Sequence, residues 1–146
     1  MENVNGYKYG VLSFIGVIGS FIAKALGGWD SSLQTLLVFI CVDYVLGLLL
    51  AGVFHKSPKT ESGKLGSNAM FKGLCKKGIM LSIVLVSYQV DIMLNTDYVR
   101  LGAIIALSVN EVTSITETVD AMGVWVPPIV LDAIDILKKN DDRRID

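Results

Sequence analysis

Two apolar runs, each long enough to cross a lipid bilayer, are separated by a stretch crowded with lysine. Leu33 to Phe54 reads LQTLLVFICVDYVLGLLLAGVF, and Gly78 to Leu94 reads GIMLSIVLVSYQVDIML. Between them, His55 to Lys77 carries Lys56, Lys59, Lys64, Lys72, Lys76 and Lys77 against a single acid, Glu61. The hydrocarbon core of a bilayer takes about 20 helical residues to cross. A basic, Gly- and Ser-containing stretch between two such runs is therefore expected to be a cytoplasmic loop joining two transmembrane helices. The competing fold, a soluble helical domain with a solvated lysine loop, is disfavoured by the length of the runs.

Composition narrows the function classes. Hydrophobic residues make up 52% of the 146, and the mean hydropathy of +0.56 is above what a water-soluble surface usually tolerates. The length fits a single domain. A net charge of −1 gives no footprint for nucleic acid. Cys41 and Cys75 lack the spacing of a disulfide framework or a zinc site. With His55 as the lone histidine, no metal cluster and no Ser-His or Cys-His relay can be assembled. Gly63 to Ser67 lacks the spacing of a phosphate loop. No enzyme and no cofactor is expected. At the N-terminus Glu2 precedes Lys8 and no cleavage site is evident, so the whole chain is expected to stay in the membrane.

In order, the first run is Tyr9–Leu26. Gly10, Ser13, Gly16, Ser20, Ala23 and Gly27 recur at three- and four-residue steps. Small side chains so placed let helix backbones approach closely in lipid. Gly27 to Asp30 breaks this helix, Trp29 suits the headgroup level, and Ser31 with Gln34 resembles a capping box. The second helix, about 33–54, contains Asp43, which shares a face with Gly47 and Ala51. A central Asp opposes insertion by about 2.5–3.5 kcal/mol, while each Leu, Ile, Val or Phe favours it by about 0.3–0.6. Fourteen such residues outweigh it.

The third helix, about 78–94, ends with Ser87 and Asp91 on one face. The fourth, about 99–119, holds only nine Val, Leu and Ile. Their gain is cancelled by Asn110, Glu111 and Glu117, so it is expected to enter the bilayer with its neighbours. Its stripe of Ala103, Ala106, Asn110, Ser114 and Glu117, with Glu111 beside it, turns from small to polar toward the C-terminus. Pro127 and Pro128 then open an amphipathic helix over about 127–139, expected on the membrane surface or against a sister subunit. The fold class is thus all-α: a single multi-pass membrane domain of about four transmembrane helices plus a C-terminal amphipathic helix.

If the lysine loop is cytoplasmic, both termini are cytoplasmic as well. Lys8, the six loop lysines, Lys138, Lys139, Arg143 and Arg144 then lie inside, eleven of the thirteen basic residues. Lys24 and Arg100 lie outside. The reverse orientation contradicts the positive-inside rule, and a three-span version puts the basic tail outside. The loop lysines also favour anionic headgroups. Intramembrane acids are the functional candidates, because they are unfavourable away from water. They are Asp43, Asp91, Glu111 and Glu117. The alternative role for each is to hold the bundle together through hydrogen bonds.

Four short segments, in order and at matching spacing from about Gly28 to Lys139, resemble the small phage holins. Asp43-Tyr44-Val45-Leu46-Gly47 is similar to that family's Asp-aromatic-x-Thr-Gly segment. Phe71-Lys72-Gly73-Leu74-Cys75-Lys76-Lys77 resembles its Lys-Gly-x-x-Lys-Lys signature. Asn110-Glu111 with Ser114-Ile115-Thr116-Glu117 resembles its Asn-Glu-x-x-Ser-Ile-x-Glu run, and Met122 to Pro127 its closing Gly-hydrophobic-x-hydrophobic-Pro. Leu46 departs from the usual Thr, and Thr118 stands where Asn is frequent. The resemblance implies a homo-oligomer in the bacterial cytoplasmic membrane that opens lesions for an endolysin or an exported toxin, with an antiholin as a further partner. A small ion channel or transporter subunit using Asp43 or Glu111 is the alternative. A membrane scaffold with a partner-recruiting loop is a third.

Overall fold

A computed structural model of the chain describes residues 2–59 and 61–143. Thr60 in the basic loop, and Arg144 among the C-terminal basic residues, lie outside the described residues. Five helices form among those described: α1 (Glu2–Ala25), α2 (Ser31–Gly52), α3 (Ser67–Leu94), α4 (Tyr98–Ala121) and α5 (Pro128–Asp142). The first four are long and apolar enough to cross a membrane. The fold is all-helical and multi-pass.

The bundle follows from the spacing of the buried side chains. On α2 these include Leu33, Leu36, Ile40, Asp43 and Leu50, alternating steps of three and four apart from one gap at Gly47. That period gives a helix one continuous seam against its partners. On α3 the buried residues are Lys77, Met80, Val84 and Asp91, again on a seven-residue repeat. On α4 they are Ile104, Val109 and Glu111. Leu26, Leu33, Leu36, Ile40, Val84 and Ile104 pack into the apolar core. It occupies the end of the bundle where α1 meets α2 and α3 meets α4. Toward the loop end, the same seam positions carry charge instead.

α4 lies at the centre, touching α2, α3 and α5. α1 stands apart: every residue from Gly6 to Ile22 is exposed, and a Cβ added at Gly10, Gly16 or Gly19 would meet nothing within 4 Å. The small-residue face of Gly16, Ser20 and Ala23 therefore has no partner within its own chain beyond the half-burial of Ala23.

Three local expectations are corrected. Helix α3 begins at Ser67, not near Gly78, so Lys72, Lys76 and Lys77 are helical and the loop shrinks to the segment before Ser67. The apolar boundary marks where hydrocarbon ends, and nothing in Ser67–Lys77 prevents the helix from continuing beyond it: no proline occurs there, and lysine is a good helix former. Helix α2 is capped by Asp30 rather than Ser31. Asp30 is extended (φ −127°, ψ 173°), and its Oδ1 accepts from Leu33 N at 2.8 Å. Finally, α5 folds back along α4 of its own chain and buries Ile134, where the sequence points to the membrane surface or a sister subunit.

Candidate functional site

Helices α2, α3 and α4 each contribute one charged group to a buried cluster. Lys77 of α3 donates to Asp43 Oδ2 of α2 at 2.7 Å, and the same ammonium makes a short ion pair with Glu111 Oε2 of α4. The three side chains are only 11%, 7% and 1% exposed. The seam explains the meeting: Asp43 falls three residues after Ile40, Lys77 three before Met80, and Glu111 seven after Ile104. Each therefore points where its neighbours on the same helix already pack.

Two carboxylates and one ammonium leave the cluster with an excess negative charge when all are ionised. Glu111 Oε1 is fully buried and without a hydrogen-bond partner among the described residues. Such an atom is unfavourable unless water or another donor reaches it. A cavity of about 240 Å³ adjoins the cluster, bordered by Lys59, Lys76, Ser114 and Glu117. It is large enough and polar enough to hold water. The arrangement can hold helices in register, and it can admit water to the bundle from the loop end.

The opposite end is closed by polar contacts. Asp91 is buried and accepts from Thr96 Oγ1 at 2.6 Å, Val99 N at 3.0 Å and Arg100 N at 2.7 Å. It caps the start of α4 from the last turns of α3. Arg100 binds the turn between α1 and α2. Its guanidinium donates to Leu26 O at 2.5 Å, to Gly28 O at 3.1 Å and to Asp30 Oδ2 at 2.5 Å. The bond from Arg100 holds the Asp30 carboxyl below the usual carboxylate range, against a smaller opposing effect of burial.

The sequence-derived residues thus separate into groups. Asp43 and Glu111 join through Lys77, whereas Asp91 stands at the other end. Asn110 and Glu117 are exposed, and Ser114 is half-buried. Gly47 is half-buried and Ala51 buried, on the same face as Asp43. Lys56, Lys59, Lys64, Lys72 and Lys76 are exposed. Lys77 is the residue that charge counting misplaced: grouped with the topology-setting loop, it is a core side chain. The available signal was its position on the repeat of Met80, Val84 and Asp91.

A family model and one named relative agree on the family. The model of the bacteriophage holin family matches residues 20–139. The uncharacterized 14.9 kDa protein in the nagH 3′ region of Clostridium perfringens is 34% identical over 137 residues, covering 92% of this chain and 95% of that one. The uncharacterized protein Lmo0128 of Listeria monocytogenes is 33% identical over 128 residues, covering 87% and 83%. A probable holin of Bacillus phage phi105 is 26% identical over 125 residues, covering 84% and 87%. No solved structure matches. With the family model spanning most of the chain and its four membrane-length helices, this protein belongs to the bacteriophage holin family.

Proposed function

We propose that this chain is a working holin. It accumulates in the bacterial cytoplasmic membrane, self-associates, and opens lesions that release an endolysin or an exported toxin. The basic loop and both termini face the cytoplasm, and no enzymatic step is involved. The observation that carries the reading is on α4: near the helix middle Asn110 is exposed and borders the polar cavity beside the Asp43, Lys77 and Glu111 cluster. An amide facing lipid at that depth is unfavourable. Contact with a second copy or with water relieves it, so association is favoured as copies accumulate. Asn110, Ser114 and Glu117 then border the hydrated path or the subunit contact, and Asp43 and Glu111 sit just inside it.

The unpartnered Glu111 Oε1 favours a second reading, a small channel or transporter subunit in which the cluster binds a cation. One experiment separates the two. Timed expression in bacteria with a folded cytoplasmic reporter enzyme yields release of the reporter from a holin. Ion flux without enzyme release overturns the holin reading in favour of the channel.

A further inference from the structure

We propose that the groove between α2 and α4, covered by α5 in the isolated chain, receives α1 of a second copy in the membrane. The inference rests on the membrane reading above and names the surface through which copies meet.

The position of α5 is the starting point. Leu131 lines one cavity with Thr116 and Glu117, and Leu137 lines another with Val109 and Val112. Helix α5 therefore runs antiparallel to α4, and its far end reaches the level of the α4 midpoint. Asp132, Asp135, Lys138 and Lys139 are all exposed there. If α4 crosses the bilayer, those four side chains lie beside it at hydrocarbon depth, where charge is strongly disfavoured. Burial of Ile134 against α4 gives no compensating gain, because lipid tails are as apolar as the groove. At the membrane surface α5 keeps its apolar edge in lipid and its charges in water. Insertion thus moves α5 off α4.

The vacated groove measures about 350 Å³ even with α5 present, and is walled by Phe39, Ile105, Ser108, Val109 and Val112. One element of this chain has the length and character to fill it. Helix α1 is of spanning length, and from Gly6 to Ile22 every residue of it is exposed. Depths match as well. Gly16 lies ten residues from Leu26 and Ser108 ten from Tyr98, both about 15 Å from the same end of the bundle at the helical rise. A helix of one copy in a groove of the next is a head-to-tail contact, which closes into rings or continues without limit.

The test uses chains with Cys41→Ser and Cys75→Ser. A tagged Gly16→Cys chain and an untagged Ser108→Cys chain are co-expressed and oxidised in membranes. A disulfide-linked dimer of unlike chains is expected, absent when either chain is expressed alone, with Leu12→Cys and Val112→Cys as a second depth-matched pair. The double variant in one chain should give a ladder of multimers. A dimer from Gly16→Cys alone, a link only within one chain, or no link from either pair overturns the contact. Reporter release is measured in the same cells: release without unlike dimers defeats this contact alone, whereas unlike dimers without release defeat the lesion reading and leave the contact standing.

Discussion

Asp43 and Lys77 stand 34 residues apart in the chain, yet the Lys77 ammonium donates to Asp43 Oδ2 at 2.7 Å inside the bundle. An acid in the middle of one apolar helix and a lysine at the edge of another are each unfavourable in lipid alone. Together they form a pair that only the correct helix arrangement satisfies. Removal of the cation leaves Asp43 and Glu111 facing each other without it. Breaking a buried pair in this way destabilises by about 3–5 kcal/mol. Lys77→Met is therefore expected to unfold at much lower temperature in detergent micelles, followed by circular dichroism. The triple variant Asp43→Asn, Lys77→Met, Glu111→Gln should recover most of that loss. A single Lys77→Met variant as stable as the parent would show that the cluster does not hold the bundle.

At the opposite end, Asp91 satisfies the first amides of α4 through bonds to Val99 N and Arg100 N. Loss of such a cap typically destabilises by about 1 kcal/mol. Asp91→Ala is expected to fray α4 at its start, read as faster amide exchange at Val99 and Arg100 with the far half of the helix unchanged. Uniform exchange along α4 would contradict the capping role.

Gly27 and Gly28 both have positive φ, +91° and +97°, but their surroundings differ. A Cβ at Gly27 would lie 2.6 Å from Arg100 Nε and 2.8 Å from a Tyr88 ring carbon, whereas one at Gly28 meets nothing within 4 Å. Gly28→Ala is expected to carry the backbone strain alone, about 1–2 kcal/mol. Gly27→Ala carries that and also displaces the guanidinium from its carbonyls. The thermal midpoint in micelles should fall further for Gly27→Ala, and adding Arg100→Ala should shrink the gap between the two.

Much of this was legible in the sequence, and each miss has its own physical cause. Run length and hydropathy locate four helices because the bilayer sets their span. Asp43 read as a buried acid because Gly47 and Ala51 share its face. Charge marks a helix end near Gly78 and so assigns Lys77 to the loop, whereas its spacing from Met80 and Val84 assigns it to the seam. Arg100 read only as a basic residue on the outer side. Its grip on Leu26 O and Gly28 O depends on a turn geometry that no periodicity encodes. The folding back of α5 was likewise invisible, since an amphipathic pattern gives a helix its two faces and not its neighbour.

Acid should loosen the turn end selectively. The Arg100 bond lowers the Asp30 pKa from its ordinary 3.8. For a carboxylate depressed in the folded state, the stabilisation is fully present above the ordinary value and is lost as pH falls through the depressed one. The clasp between Arg100 and Asp30 is therefore expected to hold at neutral pH and to weaken below about pH 4. Trp29, next to Asp30, reports on it: in a Trp125→Phe background, its fluorescence should titrate in that acidic window. Asp30→Asn should abolish the transition, and a transition that persists in the variant would assign it to another carboxylate.

Glu111→Gln isolates the excess charge at the other end. Glutamine has nearly the same shape, keeps an oxygen for Lys77 and leaves the Asp43–Lys77 pair intact. It takes away the charge that Glu111 carries when ionised, and puts a neutral amide NH2 in place of the carboxylate oxygen that has no partner. An unsatisfied ionic oxygen draws water into the bundle, while a neutral amide does so far less strongly. The variant is expected to accumulate in membranes to the parental level, with a thermal midpoint no lower than the parent's, and to delay reporter release. Glu111→Leu, with no polar atom there at all, should abolish release at equal accumulation. If both variants released the reporter on the parental schedule, the excess charge would have no part in opening, and the exposed Asn110 face of α4 would be the next position to alter.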